Sequence, residues 1–329
     1  MIMLNAKISG IASFVPDDRL TNEELSRLVE TNDEWITTRV GIKERRILKE
    51  PCAGSSELGY KAINNLLKST KVNPDEIELV ICATSNPDFR FPSTASIISH
   101  KCGLKNAYAF DIQAACAGFL VALQAGASYI KSGIYKKVIV VAAEKMSSMT
   151  DYTDRSTCPL FGDAAGCVLL EPTEENLGII DSVFHINGEG LPHLIMKGGG
   201  ATYPATHESI DAHEHYLHQD GRVVYRHAVT NMLGSTLEVI ARNNLSTDSV
   251  DWFIPHQANL RIIEAVGSRV GIDPKKVLVN IEHYGNTSAA SIPLCIDEYK
   301  DKLKKGDKLV LTAFGAGFTW GAMYIVWGC

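Results

Sequence analysis

Four short apolar runs, each entered from charged or polar residues, punctuate the chain: Glu76-Ile-Glu-Leu-Val-Ile-Cys-Ala-Thr84, Lys136-Lys-Val-Ile-Val-Val-Ala-Ala143, Ser249-Val-Asp-Trp-Phe-Ile-Pro-His256 and Asp307-Lys-Leu-Val-Leu-Thr-Ala-Phe314. Their length and β-rich composition predict strands, and the lack of strict polar alternation predicts a sheet covered on both faces. Segments of helical length separate them, which implies parallel crossover units. Thr21 and Asn32 each stand before early acids and predict helix starts. The run Ile112 to Ile130 carries no charge. Because it contains Gln113, Gln124, two glycines and many alanines, it predicts a helix buried inside protein and not a membrane span. The stretch from Ile186 to Asp220 is rich in Gly, His and polar residues and predicts a loop with at most one strand.

The pattern occurs twice. An offset of 170 pairs Asn86 with His256, Cys116 with Asn286 and Val138 with Lys308. Further on, Gly166 pairs with Gly321 at an offset of 155, so the first half holds about 15 additional residues near Met146 to Leu160. We therefore expect two similar α/β halves, 1–174 and 175–329, meeting near Glu171-Pro-Thr-Glu-Glu-Asn176. Equivalent strand-to-helix corners of such halves face each other, and loops beyond strand ends are the usual ligand sites of α/β architectures. Cys116 and Asn286 occupy equivalent corners.

With 329 residues and 45% hydrophobic content, the chain can bury a large core. Its formal charge of −6 argues against a nucleic-acid surface. The N-terminus lacks the basic region and cleavage site of a signal peptide, and a cytoplasmic protein is expected. Eight cysteines with no Cys-x-x-Cys pair and no His-flanked zinc spacing fit reduced thiols and no metal site.

One cysteine has a distinctive setting. Asp111-Ile-Gln-Ala-Ala-Cys-Ala-Gly-Phe119 places Cys116 between an apolar strand and the uncharged helix. A thiol at the start of a buried helix meets unpaired N–H groups and the positive dipole end, so a favoured thiolate and an oxyanion site are expected there. The chemistry indicated is acyl transfer.

Polar groups suited to that chemistry recur at three other corners: Pro255-His-Gln-Ala-Asn-Leu-Arg-Ile262, Tyr284-Gly-Asn-Thr-Ser-Ala-Ala-Ser291 and Ala313-Phe-Gly-Ala-Gly-Phe-Thr-Trp-Gly321. Together with the cysteine motif, Asn32-Asp-Glu-Trp-Ile-Thr-Thr-Arg-Val-Gly-Ile42 and Phe161-Gly-Asp-Ala-Ala-Gly166, they make the chain resemble β-ketoacyl-acyl-carrier-protein synthase III along essentially its whole length. The resemblance implies a thiolase-like α/β fold: two pseudo-symmetric halves in layers, with mixed sheets and a buried central helix pair. It also implies the initiating condensation of fatty-acid synthesis, in which acyl-CoA and malonyl-acyl-carrier protein give a 3-oxoacyl product through an acyl-cysteine. A related acyltransferase of secondary metabolism, using another acceptor, is the alternative.

By the same resemblance, Cys116 is the nucleophile, and its backbone N–H with that of Ala316 forms the oxyanion hole. His256 and Asn286 donate to the malonyl thioester oxygen, since asparagine is no base and neutral histidine presents one N–H. Trp35, Arg39, Arg155 and Asn259 are the expected coenzyme A contacts; Arg226, Arg261 and Arg269 are the expected docking residues for the acidic carrier protein. Phe91 is expected to enter a partner's acyl pocket in a homodimer. No resident cofactor is implied, coenzyme A thioester being a substrate. The family more often has three glycines where this chain has Gly315-Ala-Gly317, so a positive φ at Ala316 would be strained. The histidines between His207 and His218 have no regular helical spacing and are expected to form a solvated surface loop.

Overall fold

The structure, a computed structural model, describes residues 4–329. Its strands are β1 (Asn5–Phe14), β2 (Arg19–Thr21), β3 (Glu44–Arg46), β4 (Leu79–Ala83), β5 (Tyr108–Ile112), β6 (Val138–Lys145), β7 (Asp163–Thr173), β8 (Gly178–Ile186), β9 (Leu194–Ile195), β10 (His218–Gln219), β11 (Trp252–Pro255), β12 (Lys308–Gly315) and β13 (Thr319–Val326).

A five-stranded sheet has the order β1-β7-β6-β4-β5 and a four-stranded sheet the order β8-β13-β12-β11. In the first, β4 runs parallel to β5 and β6, while β7 is antiparallel to β6 and β1. The second repeats this scheme, with β11 parallel to β12 and β13 antiparallel to β12 and β8. The position equivalent to β5 is reduced to one parallel bridge from Val277 to Phe253.

Period-2 geometry explains why the strands read as continuous apolar runs. On β4 and β6, Leu79, Ile81, Val138, Val140 and Ala142 join the central core, while Val80, Cys82, Ile139 and Val141 face the other way and pack with the helix Ser55–Thr70. The second sheet divides likewise: Leu309, Leu311, Met323 and Ile325 face the centre, and Val310, Tyr324 and Val326 pack with the helices Gly221–Arg242 and Leu260–Val270. The central layer contains the helices Gly118–Lys131 and Ser291–Tyr299, both within the same apolar cluster. Small residues permit the close approach, since a Cβ on Gly118 would lie 3.3 Å from Ala83 and 3.5 Å from Ala289.

The extra residues of the first half are visible as the long connection 146–162 between β6 and β7, against 316–318 between β12 and β13. Segment 186–220 is more ordered than a loop. It contains the β9–β10 pair and a short helix, His207–Asp211, and is pinned to the connection 146–162 by Leu217 N–H donating to Met149 O at 2.8 Å. No helix among the described residues is long and apolar enough to cross a membrane.

Candidate active site

Strand β5 ends at Ile112, and Cys116 follows inside a 3-10 turn, Ala115–Ala117, one residue ahead of the helix Gly118–Lys131. Cys116 thus lies between the strand and the helix, in the turn that leads into the helix, which starts at Gly118 and not at Ile112. Ala115 has φ 46°, a left-handed conformation costly for a residue with a Cβ. The opposing turn is packed close: a Cβ on Gly315 would lie 2.6 Å from Cys116 N. Ala316 is not among the residues with positive φ, so its methyl group imposes no backbone strain. We expect Gly315→Ala to push this turn off the cysteine and slow acylation by at least about tenfold, as one displaced oxyanion donor is worth ~10²-fold or more; rapid-quench acylation kinetics would measure it.

The expected thiolate is not the resting state. Burial pushes the Cys116 thiol up to about 12, against a downward pull from the Ser288 hydroxyl. Desolvation disfavours the anion by more than one turn of helix favours it. The sulfur residue keeps some surface open to the cavity, so substrate that expels cavity water strengthens this effect. His256, almost fully buried, is held down to about 3 by desolvation and is a neutral imidazole at neutral pH. It therefore supplies no cation to hold a thiolate.

Neutrality suits His256 to donation. Its backbone N–H donates to Thr312 O at 2.8 Å, extending the β11–β12 pairing by one residue beyond Pro255. Its Nδ1 lies 2.7 Å from Ser291 Oγ, and that oxygen already accepts from the Gln257 backbone N–H at 3.3 Å. Assigned from this network, the Ser291 hydroxyl donates to Nδ1 and leaves the ring proton on Nε2.

Asn286 is fixed from the other half. Phe161 and Asn286 form a parallel bridge, with Asn286 N–H donating to Leu160 O at 2.7 Å and Gly162 N–H donating to Asn286 O at 3.1 Å. Its Oδ1 accepts from Ser288 N–H at 2.8 Å, which commits the carboxamide oxygen and leaves Nδ2 as the free donor. Residues at the start of the first-half motif Phe161-Gly-Asp-Ala-Ala-Gly166 thus fix the backbone of a second-half residue, whose side chain Ser288 then orients. Glu144 and Ser288 were not singled out in the sequence, yet both are buried here: Ser288 Oγ donates to Glu144 Oε1 at 3.0 Å. The available signal was a carboxylate on the inward register of β6, two residues past Ala142.

Cys116, His256, Asn286 and Ala316 line one cavity of about 920 Å³, with Trp35, Arg39, Asn259 and Arg261 also on its wall. Its apolar wall includes Met146, Met149, Leu160, Phe161, Met232 and Phe314. Arg39 and Arg155 stack on Trp35, with guanidinium carbons 4.7 and 5.1 Å from the ring centroid. Asn259 also caps the helix Leu260–Val270, accepting from Arg261 N–H at 2.9 Å. Arg261 stacks on Tyr225 at 5.6 Å, and Arg226 and Arg269 are exposed on the two adjoining helices. Arg222, not singled out in the sequence, lies on the cavity wall one turn before Arg226. Phe91 is 86% exposed and does not pack into its own core. The histidine-rich segment is partly tied down: His213 Nδ1 pairs with Asp151 Oδ2 at 2.6 Å and His215 Nε2 with Ser209 Oγ at 3.0 Å.

Two layered halves enclosing a cysteine, a neutral histidine and an oriented asparagine define a condensing enzyme of the thiolase fold, an acyltransferase. Residues 110–188 match the family described as 3-oxoacyl-acyl-carrier-protein synthase III, and residues 240–327 match its C-terminal counterpart. The chain is 56% identical to Beta-ketoacyl-acyl-carrier-protein synthase III 2 of Bacteroides thetaiotaomicron, over 100% of this chain and 98% of that one. It is 55% identical to the Porphyromonas gingivalis synthase III, over 99% and 98% of the respective chains. The crystal structure of the Aquifex aeolicus synthase III superposes with a TM-score of 0.90 at 41% identity, covering 98% of this chain and 100% of that one. The chain belongs to the β-ketoacyl-acyl-carrier-protein synthase III family, whose members initiate fatty-acid synthesis.

Proposed function

We propose that the chain condenses an acyl-CoA with malonyl-acyl-carrier protein, releasing coenzyme A and carbon dioxide, and that Cys116, His256 and Asn286 perform the chemistry. The Cys116 sulfur attacks the acyl thioester carbonyl; the backbone N–H groups of Cys116 and Ala316 receive the developing oxyanion. The coenzyme A thiolate leaves, and the acyl group stays on sulfur. The malonyl thioester oxygen then lies against His256 Nε2–H and Asn286 Nδ2–H. As the carboxylate departs as carbon dioxide, its bonding electrons pass to an enolate stabilised by those two donors. The enolate carbon attacks the acyl-cysteine, forming the carbon–carbon bond and freeing the sulfur.

The observation that carries this reading is the double commitment of hydrogen-bond acceptors. Ser288 N–H fixes the orientation of Asn286 Oδ1, and the assigned Ser291 hydroxyl proton occupies His256 Nδ1, so each side chain presents an N–H donor to substrate. A hydrolase would require an available base instead. The full-length identity to synthase III relatives also favours this reading over a secondary-metabolic acyltransferase. Mass spectrometry after incubation with an acyl-CoA panel tests it directly. An acyl mass on Cys116, discharged by malonyl-acyl-carrier protein with release of carbon dioxide, is the expected result; no adduct from any thioester, or one on another cysteine, would remove the mechanism.

Trp35, Arg39, Arg155 and Asn259 would hold coenzyme A, the indole offering a face to the adenine once Arg155 swings aside. Base stacking on an aromatic ring is worth ~1–3 kcal/mol. Trp35→Ala should therefore raise KM for acyl-CoA by about tenfold with little change in kcat. A short acyl thioester lacking the nucleotide should react equally well with both forms.

Arg226, Arg261 and Arg269, joined by Arg222, would receive the acidic carrier protein near the cavity mouth. A homodimer accords with β5, an edge strand that begins with the exposed Tyr108, since an unpaired edge with exposed apolar surface is otherwise an aggregation liability. Phe91 would then reach the partner's acyl pocket.

A further inference from the structure

Arg45, the middle residue of β3, is fully buried, and the proposed mechanism gives it no task. Its guanidinium donates from Nη1 to Leu20 O at 3.0 Å and to Asn22 Oδ1 at 2.9 Å, and from Nη2 to Pro159 O at 2.7 Å. All three acceptors are neutral. Burial lowers its pKa to about 10, so the group is still a cation at neutral pH. A buried cation held by neutral acceptors costs stability that an apolar side chain of similar length would not.

The contacts of this side chain converge on Asn286. Pro159 precedes Leu160, whose carbonyl accepts from Asn286 N–H at 2.7 Å. Arg45 also packs against both residues that flank the bridge between Phe161 and Asn286: a Cβ on Gly162 would lie 3.0 Å from the Arg45 Cβ, and one on Gly285 3.4 Å from it. Gly285, immediately before Asn286, has φ 65° and ψ −159°, a region essentially closed to residues with a Cβ. The arginine is anchored on its other side. Asn22, itself buried, donates from Nδ2 to Ile42 O and to Asp33 Oδ1, each at 2.8 Å, which turns its Oδ1 toward the guanidinium. Just before β3, Lys43 N–H donates to Glu282 O at 2.9 Å and ties the strand to the helix Ile281–Tyr284.

We propose that Arg45 is a positioning residue for Asn286: by clamping Pro159 O and filling the space beside Gly162 and Gly285, it fixes the backbone from which the Asn286 carboxamide reaches substrate. Arginine suits the position because its planar fork donates in two directions at once, whereas an ammonium is a single point on a flexible stem. Without the clamp, the Pro159 carbonyl loses its partner and segment 159–162 is free to shift. Asn286 follows through its two backbone hydrogen bonds, from its N–H to Leu160 O and from Gly162 N–H to its own carbonyl. Misplacing a reacting group by ~1 Å can cost about 10²-fold in rate. Cys116 is set by a different contact, the approach of Gly315 to the turn Ala115–Ala117, so acylation should not follow.

The catalytic part of this role rests on the condensing reading above, but the positioning can be tested without any thioester. In protein carrying isotope-labelled asparagine, the side-chain amide signals of Asn286 are those missing from the nuclear magnetic resonance spectrum of Asn286→Ala. Arg45→Met removes the donors at similar length and should shift or broaden that pair. The pair from Asn243, held by its own bonds to Asp181 Oδ2 and Val239 O, should stay in place. In kinetics, Arg45→Met should slow carbon dioxide release from malonyl-acyl-carrier protein by about tenfold and change acyl-adduct formation on Cys116 by less than about twofold. Arg45→Lys should recover part of the loss. Added to Asn286→Ala, Arg45→Met should cost less than about twofold more, because the group it positions is already gone. Unmoved Asn286 signals, an equal loss in both half-reactions, or a full tenfold loss in the Asn286→Ala background would overturn the assignment. Should Arg45→Met not fold, Arg45→Lys carries the same spectrum and the same comparison, with a loss of about threefold expected. A chain whose Asn286 signals move with Arg45 but which takes no acyl group from any thioester would keep this inference while losing the condensing reaction.

Discussion

Cys116→Ala should abolish the acyl-enzyme and lower condensation by about four orders of magnitude or more, the scale on which loss of a covalent nucleophile is felt. No other thiol can substitute. Cys82, Cys158, Cys167 and Cys295 are buried, with no route to the thioester, and neither Cys102 nor either exposed cysteine lies on the cavity wall. The variant should still release carbon dioxide from malonyl-acyl-carrier protein, because the donors on His256 and Asn286 do not depend on the sulfur. Uncoupled release of labelled carbon dioxide without a condensed product would separate the two half-reactions. Product formation within tenfold of the unmodified rate would instead show that the acyl group never rests on Cys116.

Removing either enolate donor should have the converse effect. His256→Ala and Asn286→Ala each delete one preorganised hydrogen bond, worth ~3 kcal/mol or about two orders of magnitude in rate. The loss should fall on decarboxylation, while the acyl adduct on Cys116 still forms. Asn286→Asp should be at least as damaging as the alanine variant, since a carboxylate offers acceptors where negative charge develops. The double variant should lose less than the product of the single losses, because both donors serve one oxygen and such groups act as a unit. Acyl-adduct mass and carbon dioxide release, measured separately, would check these outcomes. Loss of the adduct in His256→Ala would mean that the imidazole activates the thiol, contrary to its neutral, Ser291-bonded state.

Sequence and structure agree most closely where local pattern dictates local form. The apolar runs became strands because a strand buried on both faces must be apolar nearly throughout, as β4 is and as β6 is from Val138 to Ala143. Thr21 and Asn32 cap their helices because short polar side chains at those positions satisfy unpaired N–H groups. The 170-residue spacing appears as two sheets of matching order, since repeating the pattern repeats the packing problem and its solution. Departures arose where the outcome depended on distant residues. The turn at Ala115–Ala117 is shaped by the close approach of Gly315, and the β9–β10 pair joins segments 22 residues apart whose pairing neither announces.

Residue types and their order were sufficient to determine the main strands and the family, and to nominate Cys116, His256 and Asn286 for the proposed chemistry. Charge state and hydrogen-bond direction were decided by tertiary structure alone. The helix-end argument pointed to a thiolate at Cys116, whereas enclosure by both halves holds the resting group as a thiol. The carboxamide of Asn286 donates because Ser288 claims its oxygen, and the Ser288–Glu144 pair joins β6 to a turn 144 residues further along. The physical reason is that desolvation and hydrogen-bond partnership depend on everything surrounding a group, and in this fold those surroundings come from the opposite half of the chain.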